Sequence, residues 1–146
     1  MGARFNIQSV LPAGYKAMFD FSGFISKTQL TRTQIGLIEI RASQINGCAF
    51  CINMHTKDAL KNGETNQRIF LLNAWKETDL FSDEEKALLA ITEEVTLISQ
   101  QGLTEATYVR AKEFFSEEII AQIIMIVVII NGWNRICVST HTPVPA

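Results

Sequence analysis

The chain has 146 residues, 47% hydrophobic and 19% charged, which is enough apolar mass for one packed domain and too little charge for a disordered chain. Thirteen Lys and Arg against fifteen Asp and Glu leave a net charge of −2, and no stretch interleaves basic with aromatic side chains, so nucleic acid is excluded as the expected partner. The opening MGARFNIQSVLPAGYK carries no apolar core of signal-peptide length, and the expected address is the cytoplasm.

The three prolines, Pro12, Pro143 and Pro145, sit near the ends and leave everything between them free to be helix. A first helix starts at Pro12, with Ala17, Met18, Phe21, Phe24 and Ile25 near helical spacing. Thr31 caps a second, whose apolar positions Ile35, Ile38, Ala42 and Ile45 run to Asn46-Gly47. A third opens at Cys48 and stops at Gly63. A fourth covers Thr65 to about Trp75, with Ile69, Leu71 and Leu72 inward. Ser82 and Glu85 form the pattern of a capping box for a fifth helix, carrying Ala87, Leu88, Ile91, Val95 and Ile98 and closed by Gln101-Gly102. Thr104 opens a short sixth helix and Ser116 the last.

The run IIAQIIMIVVII at residues 119–130 is about a dozen residues long, short of the roughly twenty that span a membrane. Its Ile and Val content suits a strand, yet no partner strand exists elsewhere, and an acidic first turn with Gln122 and Asn131 fits a buried helix. A helix apolar on every side must be covered all round, which predicts a homo-oligomer. The expected architecture is all-α: one domain over residues 1–146, of about six to seven helices.

Cysteine occurs at positions 48, 51 and 137, an odd count that argues against a secreted disulfide framework. Cys48 and Cys51, three apart at a helix start, can close and reopen a disulfide, and His55 falls on the same helical stripe, where a base beside a thiol favours thiolate. Other readings of the pair compete. Half of a zinc site would need partners from His55, Cys137 and His141, with no second CxxC present. Haem attachment fails because Ile52 follows the second cysteine. Inert burial is the third reading. A thioredoxin fold lacks its strands, since residues 37–41 are the one nearby strand candidate and also match a helix period. Cys137 reads as core filler and His141 as a solvated tail residue.

The block RASQINGCAFCINMHTKDA at residues 41–59 resembles the signature of AhpD-like alkylhydroperoxidases within the carboxymuconolactone decarboxylase superfamily. LAITEEVT at 89–96, NGWNRI at 131–136 and Thr142-Pro143-Val144 extend the likeness over nearly the whole chain. The resemblance implies an all-helical fold assembling as trimers or hexamers, with no cofactor and no metal. It also implies a peroxidase cycle in which Cys51 attacks peroxide, Cys48 resolves and His55 relays protons. A thioredoxin-like or lipoyl-bearing dithiol would be the reductant. Relatives with a full relay carry a glutamate twelve residues before the first cysteine, where this chain has Gly36. Glu39 and Glu93 are the candidate replacements, and a Gly36→Glu substitution is expected to raise activity unless one of them already serves. The expected function is reduction of hydrogen peroxide or organic hydroperoxides through the CxxC. The alternatives are a lactone decarboxylase, whose relatives generally do without the CxxC, and a non-catalytic redox-sensing oligomer.

Overall fold

The computed structural model describes residues 2–145, which form eight α-helices and two 3-10 segments, with no strand among the described residues. The helices are α1 (Ile7–Val10), α2 (Pro12–Ser22), α3 (Arg32–Asn46), α4 (Ala49–Lys61), α5 (Asn66–Leu71), α6 (Asp83–Thr96), α7 (Glu105–Lys112) and α8 (Glu117–Thr140). The 3-10 segments are Gly23–Lys27 after α2 and Leu72–Glu77 after α5. Local chemistry sets most starts. Thr31 and Ser82 each head a complete capping box, with Gln34 and Glu85 reaching back, while Thr65, Thr104 and Ser116 accept from the amide three residues on.

Four details depart from the sequence expectation. The helix begun at Pro12 ends at Ser22, and Phe24 and Ile25 fall in the 3-10 segment that follows. The four-residue α1, capped by Asn6, is too short to show an apolar period. The fourth helix is split: after Leu71 the chain tightens to 3-10, which turns Leu72 fully inward and leaves Leu71 37% exposed rather than buried. The fifth ends at Thr96, ahead of Gln101, and Ile98 is left 59% exposed. The Glu94 carboxylate holds the Thr104 amide at 2.8 Å and the Thr107 hydroxyl at 2.6 Å, which folds the start of α7 back onto the last turn of α6 and forces the chain to reverse early.

The Ile-rich run is helix, as expected, and extends through Gly132 to Thr140, making α8 24 residues long. By length and composition it is the one described helix able to cross a membrane, with a mean hydropathy of 1.8 in its most apolar window. In this fold α2, α3, α4, α6 and α7 all pack against it. Its partner across the core is α3, and a polar seam fixes their register. The Asn46 amide donates to the side-chain oxygens of Asn131 at 3.0 Å and Asn134 at 2.9 Å; Asn131 donates to Thr96, and Asn134 to Ser43. Every buried side-chain polar atom among the described residues has a partner. A buried seam that is fully satisfied favours one alignment of the two helices. It therefore fixes the end of α3, immediately before the first cysteine.

Candidate active site

Gly47 ends α3 in the left-handed region, φ 65°, where a side chain would be strained. The chain then turns sharply into Cys48, whose extended backbone makes it the N-cap of α4. The Cys48 sulfur accepts from the Cys51 amide at 3.3 Å, standing where a serine oxygen usually caps, and it is disulfide-bonded to Cys51 across a Cα separation of 5.3 Å. Both cysteines are 1% exposed. When the pair is reduced, the positive end of the α4 dipole favours thiolate at this helix start.

One turn past Cys51, the His55 Nδ1 lies 2.9 Å from Oε2 of Glu39 on α3. Both side chains are largely buried, at 12% and 15% exposure. An imidazole whose Nδ1–H is held by a carboxylate keeps Nε2 as its acceptor, and the carboxylate stabilises the imidazolium formed on proton uptake. Cys51, His55 and Glu39 together line a cavity of about 580 Å³, whose walls are mostly apolar and include Phe50, Met54 and Trp133. The N-terminal segment contributes Phe5 and Ile7 to the same cavity and is tied down by the Arg4 amide donating to the Thr140 carbonyl at 2.9 Å.

His55 and Glu39 also face a second, more polar cleft of about 520 Å³, bordered by Arg32, Gly36, Asp58 and Lys61. Gly36 is buried, and a Cβ there would meet only the Ala59 methyl carbon at 3.6 Å, an ordinary van der Waals contact. Glu93, the other candidate carboxylate, lines neither cleft. It receives Arg41 at 2.8 Å, the Trp75 indole N–H at 2.8 Å and Lys76 at 3.0 Å. Burial alone would raise its carboxyl, but donation from Trp75, Lys76 and Arg41 outweighs that and holds it below the usual carboxylate range.

The residue that sequence reasoning undervalued is Cys137. Its sulfur and those of Cys48 and Cys51 all lie within 4.8 Å of one another, and all three residues are buried. Neither His55 nor His141 belongs to this group, so a four-ligand zinc site of the kind considered from sequence is not assembled by the described residues. Cys137 also lines the apolar cavity, and burial pushes its thiol up, with the Thr142 hydroxyl offsetting this only in part. His141 is the half-buried, left-handed C-cap of α8, φ 53°.

An all-helical domain with a CxxC at a helix N-terminus, a histidine one turn on and a carboxylate behind it defines an AhpD-like dithiol protein. The chain belongs to the carboxymuconolactone decarboxylase family, whose profile matches residues 12–94. It is 44% identical over 139 residues to the uncharacterized protein YdfG of Bacillus subtilis, covering 95% of each chain. A crystal structure from Agrobacterium tumefaciens, of a protein of unknown function named as a candidate AhpD antioxidant defence protein, superposes with a TM-score of 0.97. The two are 34% identical over 99% of both chains. The debrominase Bmp8 shares the fold at a TM-score of 0.84 and 16% identity, over 95% of this chain and 74% of Bmp8.

Proposed function

We propose that the protein is a thiol-dependent peroxidase acting on hydrogen peroxide or organic hydroperoxides. The observation that carries this reading is that Cys51 and His55 line one apolar cavity, with Glu39 paired to Nδ1 of the imidazole. In the reduced protein His55 takes the Cys51 proton. The thiolate attacks one peroxide oxygen and the O–O bond breaks. The Cys51 sulfur becomes a sulfenic acid, and the second oxygen leaves as water or an alcohol with the proton that His55 returns. The Cys48 thiol then displaces hydroxide from that sulfenic acid, which forms the disulfide and releases water.

Return to the dithiol needs two electrons and two protons from an external dithiol, which we assign to a thioredoxin-like or lipoyl-bearing partner. The apolar walls suit an organic hydroperoxide, whose alkyl group gains by leaving water. Self-assembly as a trimer or hexamer belongs to the same proposal. Stopped-flow measurement of peroxide loss tests it: the reduced wild type should consume one equivalent rapidly, and Cys51→Ser should lose this by at least about a hundredfold, the order expected when a nucleophile is removed. Equal rates would refute the assignment.

A further inference from the structure

Cys137 is a buried thiol that the CxxC cycle above does not use, and its neighbours give it a chemical role. Its sulfur lies within 4.8 Å of both CxxC sulfurs, although it comes from α8, the far end of the chain. The three are not equivalent. Cys51 and Cys137 line the same cavity, whereas Cys48 does not and sits at the N-cap with its sulfur held by the Cys51 amide. An oxidised sulfur at Cys51 therefore has two neighbouring thiols, Cys48 at the helix start and Cys137 across the cavity wall.

We propose that Cys137 is a second resolving thiol, which joins Cys51 in an alternative disulfide when Cys48 is not available. The inference rests on the peroxidase reading for the origin of the Cys51 sulfenic acid. In the step, the Cys137 sulfur forms a bond to the Cys51 sulfur as the S–O bond breaks. The hydroxide leaves with the thiol proton as water, so Cys51 is reduced from sulfenic acid to disulfide and Cys137 is oxidised from thiol to disulfide. The only oxidant needed is the peroxide already consumed. Burial disfavours the Cys137 thiolate and so slows its attack on peroxide and on sulfenic sulfur alike; what favours resolution is proximity, since the Cys51 sulfur is held within 4.8 Å of it. The consequence is protection: a Cys51 sulfenic acid that misses Cys48 is trapped by Cys137 before a second peroxide takes it irreversibly to sulfinic acid.

Cys48→Ser is the informative variant, because serine is a strong N-cap and should preserve the start of α4. It retains two thiols, Cys51 and Cys137. One equivalent of hydrogen peroxide should remove both from the titratable count. Peptide mapping should find Cys51 joined to Cys137, and dimedone should label Cys51 only in Cys48→Ser/Cys137→Ala. A Cys51 dimedone adduct or sulfinic acid in Cys48→Ser, with Cys137 still free, overturns the proposal. Diamide, which closes neighbouring dithiols without any peroxide, separates the two readings. If diamide joins Cys51 to Cys137 while peroxide leaves Cys51 untouched, the pairing stands and the peroxidase reading falls. If neither oxidant forms that disulfide, the pairing itself is wrong.

Discussion

Glu39 changes how the missing relay glutamate is understood. A carboxylate at position 36 would sit one helical turn earlier on α3, yet the His55 Nδ1 already has its partner at 2.9 Å in Glu39. The expectation that Gly36→Glu raises activity is therefore revised. The added Cβ meets only a methyl carbon at 3.6 Å, and in a variant whose thermal melt matches wild type the rate of peroxide consumption should stay within about twofold, as expected when no transition-state interaction is added. Glu39→Gln is the contrasting change. The amide oxygen can still accept from Nδ1–H, but the negative charge that stabilises imidazolium is gone. A charge-assisted hydrogen bond is roughly twice as strong as a neutral one, and a loss of about 1.4 kcal/mol lowers kcat/KM about tenfold. Unchanged kinetics in Glu39→Gln together with a gain in Gly36→Glu would show that position 36, not position 39, is where the relay carboxylate belongs.

At the scale of helices, Glu93 works as a clamp. From α6 it holds Arg41 of α3 and both Trp75 and Lys76 of the second 3-10 segment, with its own side chain 16% exposed. Its folded carboxyl lies below the usual range, so the stability it contributes is present above the unfolded carboxylate pKa and is lost as pH falls through the lower, folded one. Glu93→Gln should cost about 2 kcal/mol at pH 7, because three donors lose their charged acceptor, and this corresponds to a drop in Tm of about 4–8 °C for a chain of this size. The deficit should shrink below about pH 4, measured by thermal melts of both proteins at matched pH. A deficit that does not change with pH would mean that the clamp is steric.

Helix starts and stops were legible in the sequence because caps, prolines and left-handed glycines act within a few residues: Thr31, Ser82, Ser116 and Gly47 all do what their chemistry predicts. The early end of α6 was not, because its cause is the distant pairing of Glu94 with Thr104 and Thr107. The site divides the same way. The spacing of Cys48, Cys51 and His55 lies within one helix and could be read directly. The partnership of Glu39 with His55 needs the packing of α3 on α4, and the approach of Cys137 to the disulfide needs α8 registered against α3 by Asn131 and Asn134. Reading Cys137 as core filler captured its burial and missed its neighbours.

For the molecule as a whole, the outer face of α8 is the surface that calls for a second copy. Its inner face fills the core, but Ala121, Met125 and Val128 recur at intervals of four and three residues on the exposed side, with Val138 further along. Phe19 at 61% and Phe70 at 74% exposure add large apolar groups elsewhere on the surface. Exposed apolar residues at helical spacing on one face are the kind of surface that a second copy covers. Light scattering of the wild type should therefore give a multiple of the monomer mass, and Met125→Glu/Val128→Glu should reduce it, since burying two unpaired carboxylates in a subunit contact costs several kcal/mol. The same measurement on oxidised and reduced protein distinguishes an enzyme from a sensor. The peroxidase cycle proposed here requires no change of assembly, so the mass is expected to be the same in both forms. A mass that changed with the Cys48–Cys51 disulfide would make that bond a switch of assembly, as the sensor reading requires. A wild type that runs as a single copy would mean that the α8 stripe is left uncovered in solution.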